Sequence, residues 1–440
     1  MSAATISRAG TPPVPRRPGE AGTGGGERRV SSGPELLAAA GDPDVAQIVV
    51  ASDLADVPTL RLAPGQGLRG EHEGISVRFK PGQDGVQLSK DNSLSDLALA
   101  TEPDRAAVFN DTAVDGLGVL QLRTLRVTGT VRLLASGQVR GGHVEAHGIH
   151  LVEADARDYD KRPAGYGVEV IPGAFMLWNQ QGDAGVRITA DLTGLSAGRA
   201  GAPVRGSGIF VGGAGNGGGQ LVVRRLETGE VHSDGGIAPG TPDRISGGVF
   251  TVHGAVVDSV RNLGAVTTYG PNDMVLDNWG TVDRWVAEGK VTSFGPSGIG
   301  FVNFGTLQLL QVSDIETFGL GARGFNVYSG TVRQAEFGRV VTRGDGAVGI
   351  QISQPVGTIV VRRGLETWGG VGDSLVKGVV TRLPATALSV KPGGSARRIE
   401  IAGGLAAHGE RIDALEMHGT VEEMVVAGGF GPIGGGFEGM

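Results

Sequence analysis

The sequence predicts an all-β protein, a single-stranded right-handed parallel β-helix (a solenoid) with a short N-terminal capping helix. Three observations predict it. A Gly-Thr-Val marker recurs at near-constant steps, and a second marker keeps the same period. Glycine makes up 79 of the 440 residues, against a usual share of about 7%. The apolar residues alternate in short runs instead of following a helical period.

The first marker is Gly280-Thr281-Val282, Gly305-Thr306-Leu307, Gly330-Thr331-Val332 and Gly357-Thr358-Ile359, at steps of 25, 25 and 27. Gly394 and Gly419-Thr420-Val421 continue it, 25 apart, after a 37-residue step that implies an insertion. The second marker is Tyr269-Gly270, Phe294-Gly295, Phe318-Gly319, Arg343-Gly344 and Trp368-Gly369, each preceded by Thr or Ser. Segments such as Ile350-Gln351-Ile352 have period two, the mark of half-buried strands. One such unit cannot bury its inner face alone, so neighbouring units must stack to make a core. Roughly fourteen coils at the inter-strand spacing of about 4.8 Å give a rod of nearly ~70 Å. Glycine is expected at the corners to supply positive φ angles.

Taken in order, residues 1–30 are rich in Gly, Pro, Ser and Arg and read as a disordered tail. Residues 31–47 hold the capping helix, over Pro34–Ala40, and a lead-in. A plug is expected because an open coil end presents unpaired backbone. Ile48–Val50, Leu60–Leu62 and Val77–Phe79 read as the first strands, the β-helix proper runs over 48–430, and 431–440 reads as a flexible tail. The longer connections fall at 153–166, 190–207, 212–219, 232–246 and 369–384, which favours a groove over the N-terminal half.

Composition sets bounds on function. The net charge is −7 and no long Lys/Arg block occurs. Nothing in this balance points to nucleic acid or an anionic membrane as partner. Cysteine is absent, which excludes disulfides, thiolate catalysis and Cys-ligated zinc. No apolar segment follows Arg16-Arg17, so a cytoplasmic location is expected, with export by another route left open.

In coil period, N-terminal helix and Gly-Thr-Val corners, the chain resembles the pectate-lyase-like β-helix superfamily over roughly 31–430. The resemblance implies a lyase or hydrolase acting on a glycan or oligosaccharide in a lateral groove. Members of hydrolase type carry an Asp-Asp pair, a Gly-His-Gly and a late Arg-x-Lys. This sequence has no Asp-Asp, and its Arg78-Phe79-Lys80 lies near the wrong end. The alternative is a non-catalytic scaffold that presents a repetitive face to a partner.

Four sets of residues could carry chemistry. Glu153, Asp155, Asp158 and Asp160 precede Lys161 and Arg162. Clustered carboxylates suit calcium, which takes 6–8 oxygen ligands. Glu153, Asp155 and Asp160 are the candidate Ca2+ ligands, and Lys161, Arg162 and Asp158 the candidate acid–base groups. The resemblance implies that a Lys or Arg removes the proton α to a uronate carboxylate. A solvated acidic turn is the other reading. His143, Glu145 and His147 share one strand face and are the alternative metal set, or a plain polar face. Tyr269, Phe294, Phe318, Arg343 and Trp368 form a column that reads as a sugar platform or a self-stacking ladder. Trp178 and Arg205 join Arg343 and Trp368 as candidate sugar contacts. Asn278, Asn303, Asn326, Tyr328, Gln351 and Ser353 read as a polar ladder that satisfies corner backbone groups. Asp373 and Lys377 read as a surface salt bridge.

Overall fold

The computed structural model describes residues 26–376 and 378–431. Apart from one helix the chain is strand and turn, wound into a parallel β-helix of three faces. The first face holds fifteen strands, one per coil, from Gly26–Val30 to Thr420–Val426. Short second-face strands such as Val266–Thr268 and Val291–Ser293 pair in the same sense. Where the corner is smooth, one strand serves both faces, as in Thr306–Thr317 and Thr331–Thr342. First and second faces therefore merge into a 21-stranded sheet. The third face runs separately, from Leu60–Arg61 to Leu415–Met417.

The tail is shorter than expected. Gly26–Val30 is a strand, parallel to Val45–Val50, and it extends the first face by one coil. The rest of the expected tail, residues 1–25, and residues 432–440 lie outside the described residues, as does Lys377.

The helix spans Gly33–Ala40. Ser32 caps it by accepting from the Glu35 amide, and Glu35 Oε2 accepts in return from the Ser31 amide at 2.7 Å. This reciprocal arrangement resembles a capping box. Leu36, Ala39 and Ala40 are buried against Val30 and Val45, so the helix does plug the first coil.

Inside, register turns the sequence repeat into columns. Val257, Val282, Leu307, Val332, Val356, Ala396 and Val421 stack one per coil. Beside them run Val260, Trp285, Leu310, Ala335, Ile359, Ile399 and Met424. Trp285 is fully enclosed, and its indole N–H donates to Asn262 Oδ1 at 2.8 Å.

The corner glycines are present for a reason other than the one expected. Of the glycines in the two markers from 270 to 369, Gly330 alone has a positive φ, at 66°. The shared requirement is steric. A Cβ on Gly295, Gly319, Gly344, Gly369 or Gly409 would overlap the carbonyl oxygen of the glycine one coil before it. Gly305 and Gly330 stand in the same relation to Gly280 and Gly305. The coils meet backbone to backbone at these corners, and any side chain would wedge them apart.

This separates two kinds of glycine by experiment. Gly319→Ala should destabilise the chain by about 3 kcal/mol, because the backbone carbonyl it meets cannot rotate away. Gly217→Ala has open space around it and only its φ of 76° to strain. It should cost about 1 kcal/mol. Denaturant midpoints for the two variants check this, and equal losses would show that stacking is not the constraint.

Candidate functional site

In a solenoid the outward residues of each strand meet water and are polar. The third face breaks this pattern. Gly173–Asn179, Ser207–Gly212, Asp273–Asn278, Ile299–Asn303 and Arg323–Val327 are buried at every position. Their outward residues, among them Met176, Phe210, Met274, Ile299 and Val302, form a second apolar cluster outside the coil with Phe250 of the strand Arg244–Thr251. Two additions cover it. One is the segment after Ala156, in which Ala164–Gly165 pairs with Val168–Val170 and the latter joins Arg244–Thr251. The other is the antiparallel hairpin of Val371–Val376 and Val379–Pro384.

Of the cavities along this cover, two carry chemically distinct linings and share no residue. The first, of about 360 Å³, is roofed by Leu375 of the hairpin and by Pro242. Met274, Ile299 and Arg323 belong to one outward column of its floor, in register on successive strands. Its wall is aromatic. Tyr166 stacks on Phe304 at 4.4 Å, and Phe304 on Tyr328 at 5.4 Å. Behind this wall Trp279 meets Tyr166 edge-on at 5.2 Å, and His253, outside the cavity, lies 5.0 Å from Trp279. Burial holds the His253 imidazole below its ordinary pKa.

Three acid or amide groups are buried around this floor. Asp277, Val302 and Asn326 are in register in the next outward column. Neither carboxyl oxygen of Asp277 and neither polar atom of the Asn326 side chain has a hydrogen-bond partner. The Trp279 indole N–H lies close enough to Asp277 to lower its pKa slightly but falls short of hydrogen-bond geometry. Burial therefore pushes the Asp277 carboxyl well above the usual carboxylate range. Asp273 faces the coil interior. Burial pushes its pKa up to about 6, although Ser246 and the amides of Gly270 and Gly235 donate to it.

The second cavity is an open groove of about 570 Å³. Asp160, Lys161 and Arg162 line it together with Trp178, Gln180 and His253. Lys161 donates to Gln180 Oε1 at 3.2 Å and forms no ion pair with a described residue. Arg162 donates to the Arg157 carbonyl at 2.7 Å, its Nη1 lies 3.9 Å from Glu169, and its buried Nε has no partner. Trp178 is largely buried and donates to the Gly213 carbonyl at 3.2 Å, so it offers the groove an edge.

Four of the sequence-predicted residues thus meet in one groove: Asp160, Lys161, Arg162 and Trp178. The others do not join them. Asp158 is exposed and lines neither cavity. Asp155 spends both oxygens on Arg157, at 2.9 and 2.6 Å; partial burial works to raise its pKa, and the Arg157 hydrogen bonds outweigh this and lower it. Arg205 pairs with Asp234 instead of a groove residue. Among the described residues no three His, Cys, Asp or Glu side chains could hold a metal ion, so Glu153, Asp155 and Asp160 do not assemble a calcium site.

His143 Nε2 lies 3.8 Å from Glu145, but His143, Glu145 and His147 do not converge as a metal-holding group of three. The imidazoles do share a face, but each turns to the next coil. His143 bonds Thr189, His147 bonds Thr193 and His150 bonds Ser196, at 2.7–2.8 Å. Glu145 accepts from Gln121 and Arg123.

Arg343 and Trp368 belong to a self-stacking ladder. Tyr269, Phe294 and Phe318 stack at 5.5 and 5.0 Å with interplanar angles of 16°. Arg343 lies between Phe318 and Trp368, 5.8 and 5.9 Å from their centres. Trp368 stacks on His408 at 3.8 Å, and His232 extends the stack beyond Tyr269. The ring faces are turned to each other, so only edges reach solvent and a sugar platform is not formed.

The Asn ladder holds in part. Asn278 Nδ2 donates to Asn303 Oδ1 at 2.8 Å. The next partner of Asn303 is Val327, so Asn326 falls into the Asp277 column. One intervening coil is 24 residues long instead of 25, and that one-residue slip turns Asn326 outward.

Comparison with protein-family models, with curated proteins and with solved structures finds no match for this chain. No helix among the described residues is long and apolar enough to cross a membrane.

The buried Asp273 makes a pH prediction. Its folded pKa lies above the unfolded value, so its protonated form is the one that folding favours. Its contribution is present below about pH 4 and is lost as pH rises toward about 6. A rise from 3.8 to about 6 corresponds to about 3 kcal/mol. The parent chain should therefore lose about that much relative to Asp273→Asn across this window and stay level above it. Denaturation midpoints of both proteins at several pH values measure the difference, and parallel profiles would refute it.

Proposed function

We propose that the chain is a carbohydrate-active β-helix protein that holds an acidic glycan or oligosaccharide in the open groove of its third face. The observation that carries this reading is the meeting of Lys161, Arg162 and Asp160 with Trp178, Gln180 and His253 in one groove. These residues come from separate chain segments, and the groove has both cations and an aromatic edge. Arg162, anchored by the Arg157 carbonyl and only loosely paired with Glu169 at 3.9 Å, suits a sugar carboxylate. Lys161 then stands as the base for the proton α to that carboxylate. Loss of that proton expels the glycosidic oxygen by β-elimination and leaves an unsaturated uronate. The expelled oxygen takes a proton from solvent. Asp158 has no part in this scheme.

The scaffold reading draws on a different observation. Outward residues of the merged first and second faces pair between coils, as in Lys290–Glu316, Arg343–Glu316 and Arg362–Glu336. Such a face is rigid and repetitive, which suits presentation to a partner.

The two readings separate in one assay series. Oligogalacturonate and oligomannuronate are titrated calorimetrically, and unsaturated products are followed by absorbance. The lyase reading expects Lys161→Ala to lower turnover at least about 100-fold. Affinity should stay within about threefold, and Arg162→Gln should weaken it about tenfold. Binding without turnover would leave the scaffold reading, and absence of binding to any acidic glycan would end the carbohydrate reading.

A further inference from the structure

We propose that the roofed cavity of the third face is a second binding site, for a small flat carboxylate with an apolar body, and that Arg323 receives the carboxylate. The cavity shares no lining residue with the open groove, so the proposal stands apart from the glycan reading.

The ligand's charge follows from Arg323. Its side chain is among the largest fully buried ones, at 1% exposure. Its hydrogen bonds go to neutral acceptors: Gln351 Oε1, the Gly321 and Leu375 carbonyls and Ser374 Oγ. No carboxylate of a described residue pairs with it. A guanidinium has five N–H donors, so one remains for a ligand. A buried charge without a counterion is costly, and an anion entering the cavity would supply one.

The ligand's body follows from the walls. Val168, Ile245, Met274, Ile299, Val302 and Leu375 surround a space of about 360 Å³. Tyr166, Phe304 and Tyr328, stacked on one another, line a further side with aromatic edges. A sugar ring would bury hydroxyls against these walls without partners, whereas a planar aromatic acid would not. Val302 on the floor is flanked in register by Asp277 and Asn326, both fully buried and both unpartnered. Asn326 also neighbours Gln351 in register, and Gln351 touches Arg323. The polar groups without partners thus lie beside the unneutralised cation.

The test uses the full chain and calorimetric titration with 4-hydroxycinnamate, indole-3-acetate and the amide of each. At least one acid should bind, and its amide should bind about tenfold more weakly or not at all. Gln351→Glu is isosteric and gives Arg323 an internal carboxylate. It should weaken the acid about tenfold or more while leaving the amide unchanged and the melting temperature no lower. An Arg323 that served only to latch the hairpin would let Gln351→Glu raise the melting temperature without touching affinity. Val302→Trp should fill the floor and abolish binding of both forms. The proposal is overturned if no acid binds, if acid and amide bind alike, or if Gln351→Glu leaves acid affinity intact. It is equally overturned if binding survives Val302→Trp, or if digalacturonate competes with the bound acid.

Discussion

Everything in this molecule depends on how closely its coils stack. Parallel strands lie about 4.8 Å apart. At the corners the main chain of one coil rests directly on that of the last. There is no space for a Cβ at Gly295, Gly319, Gly344, Gly369 and Gly409, and glycine at these corners follows from that contact and not from φ angles. The same spacing brings equivalent side chains into contact from coil to coil. Asn278 reaches Asn303, Tyr269 stacks on Phe294, and Val282 lies under Leu307. Aromatic pairs add about 0.5–1.5 kcal/mol each beyond area, and exposed ion pairs about 0–1 kcal/mol. Individually these terms are small, but a regular coil repeats them at every level.

A ladder that satisfies itself has little left for a ligand. His143, His147 and His150 spend a ring nitrogen on the next coil, and the aromatic column turns its faces inward on itself. The cavities of the candidate sites lie instead on the face where the repeat is broken. On the third face the outward residues are apolar, and the two chain additions that cover them leave cavities because they are irregular and the floor is regular. The floor itself comes from coils 245–328, which look featureless as sequence, while the cover comes from segments distant in the chain. Arg323 joins the two parts, since it sits on a floor strand and holds Ser374 and Leu375 of the hairpin.

The sequence by itself determined the fold: the coil period, the corner positions, the inward columns, the plug over 33–40 and the sites of the insertions around 153–166 and 369–384. Each of these is a local or strictly periodic property, so residue spacing records it. Part of the site was legible too, because Asp160, Lys161 and Arg162 are neighbours in the chain and share one loop. A further signal was there to be read: Ala174–Trp178 is a continuous apolar run without alternation, which demands burial on both sides. Only the tertiary structure decided which face the insertions fold over, and hence that Trp178 and His253 meet Lys161 while Asp155, Asp158 and Arg205 do not. It also decided that Asn326 stands beside Val302 and not in line with Asn303. The physical reason is that a solenoid strand has two sides and a one-residue change in coil length exchanges them. Spacing within one segment does not record that choice, which is made by packing against residues far away in the chain.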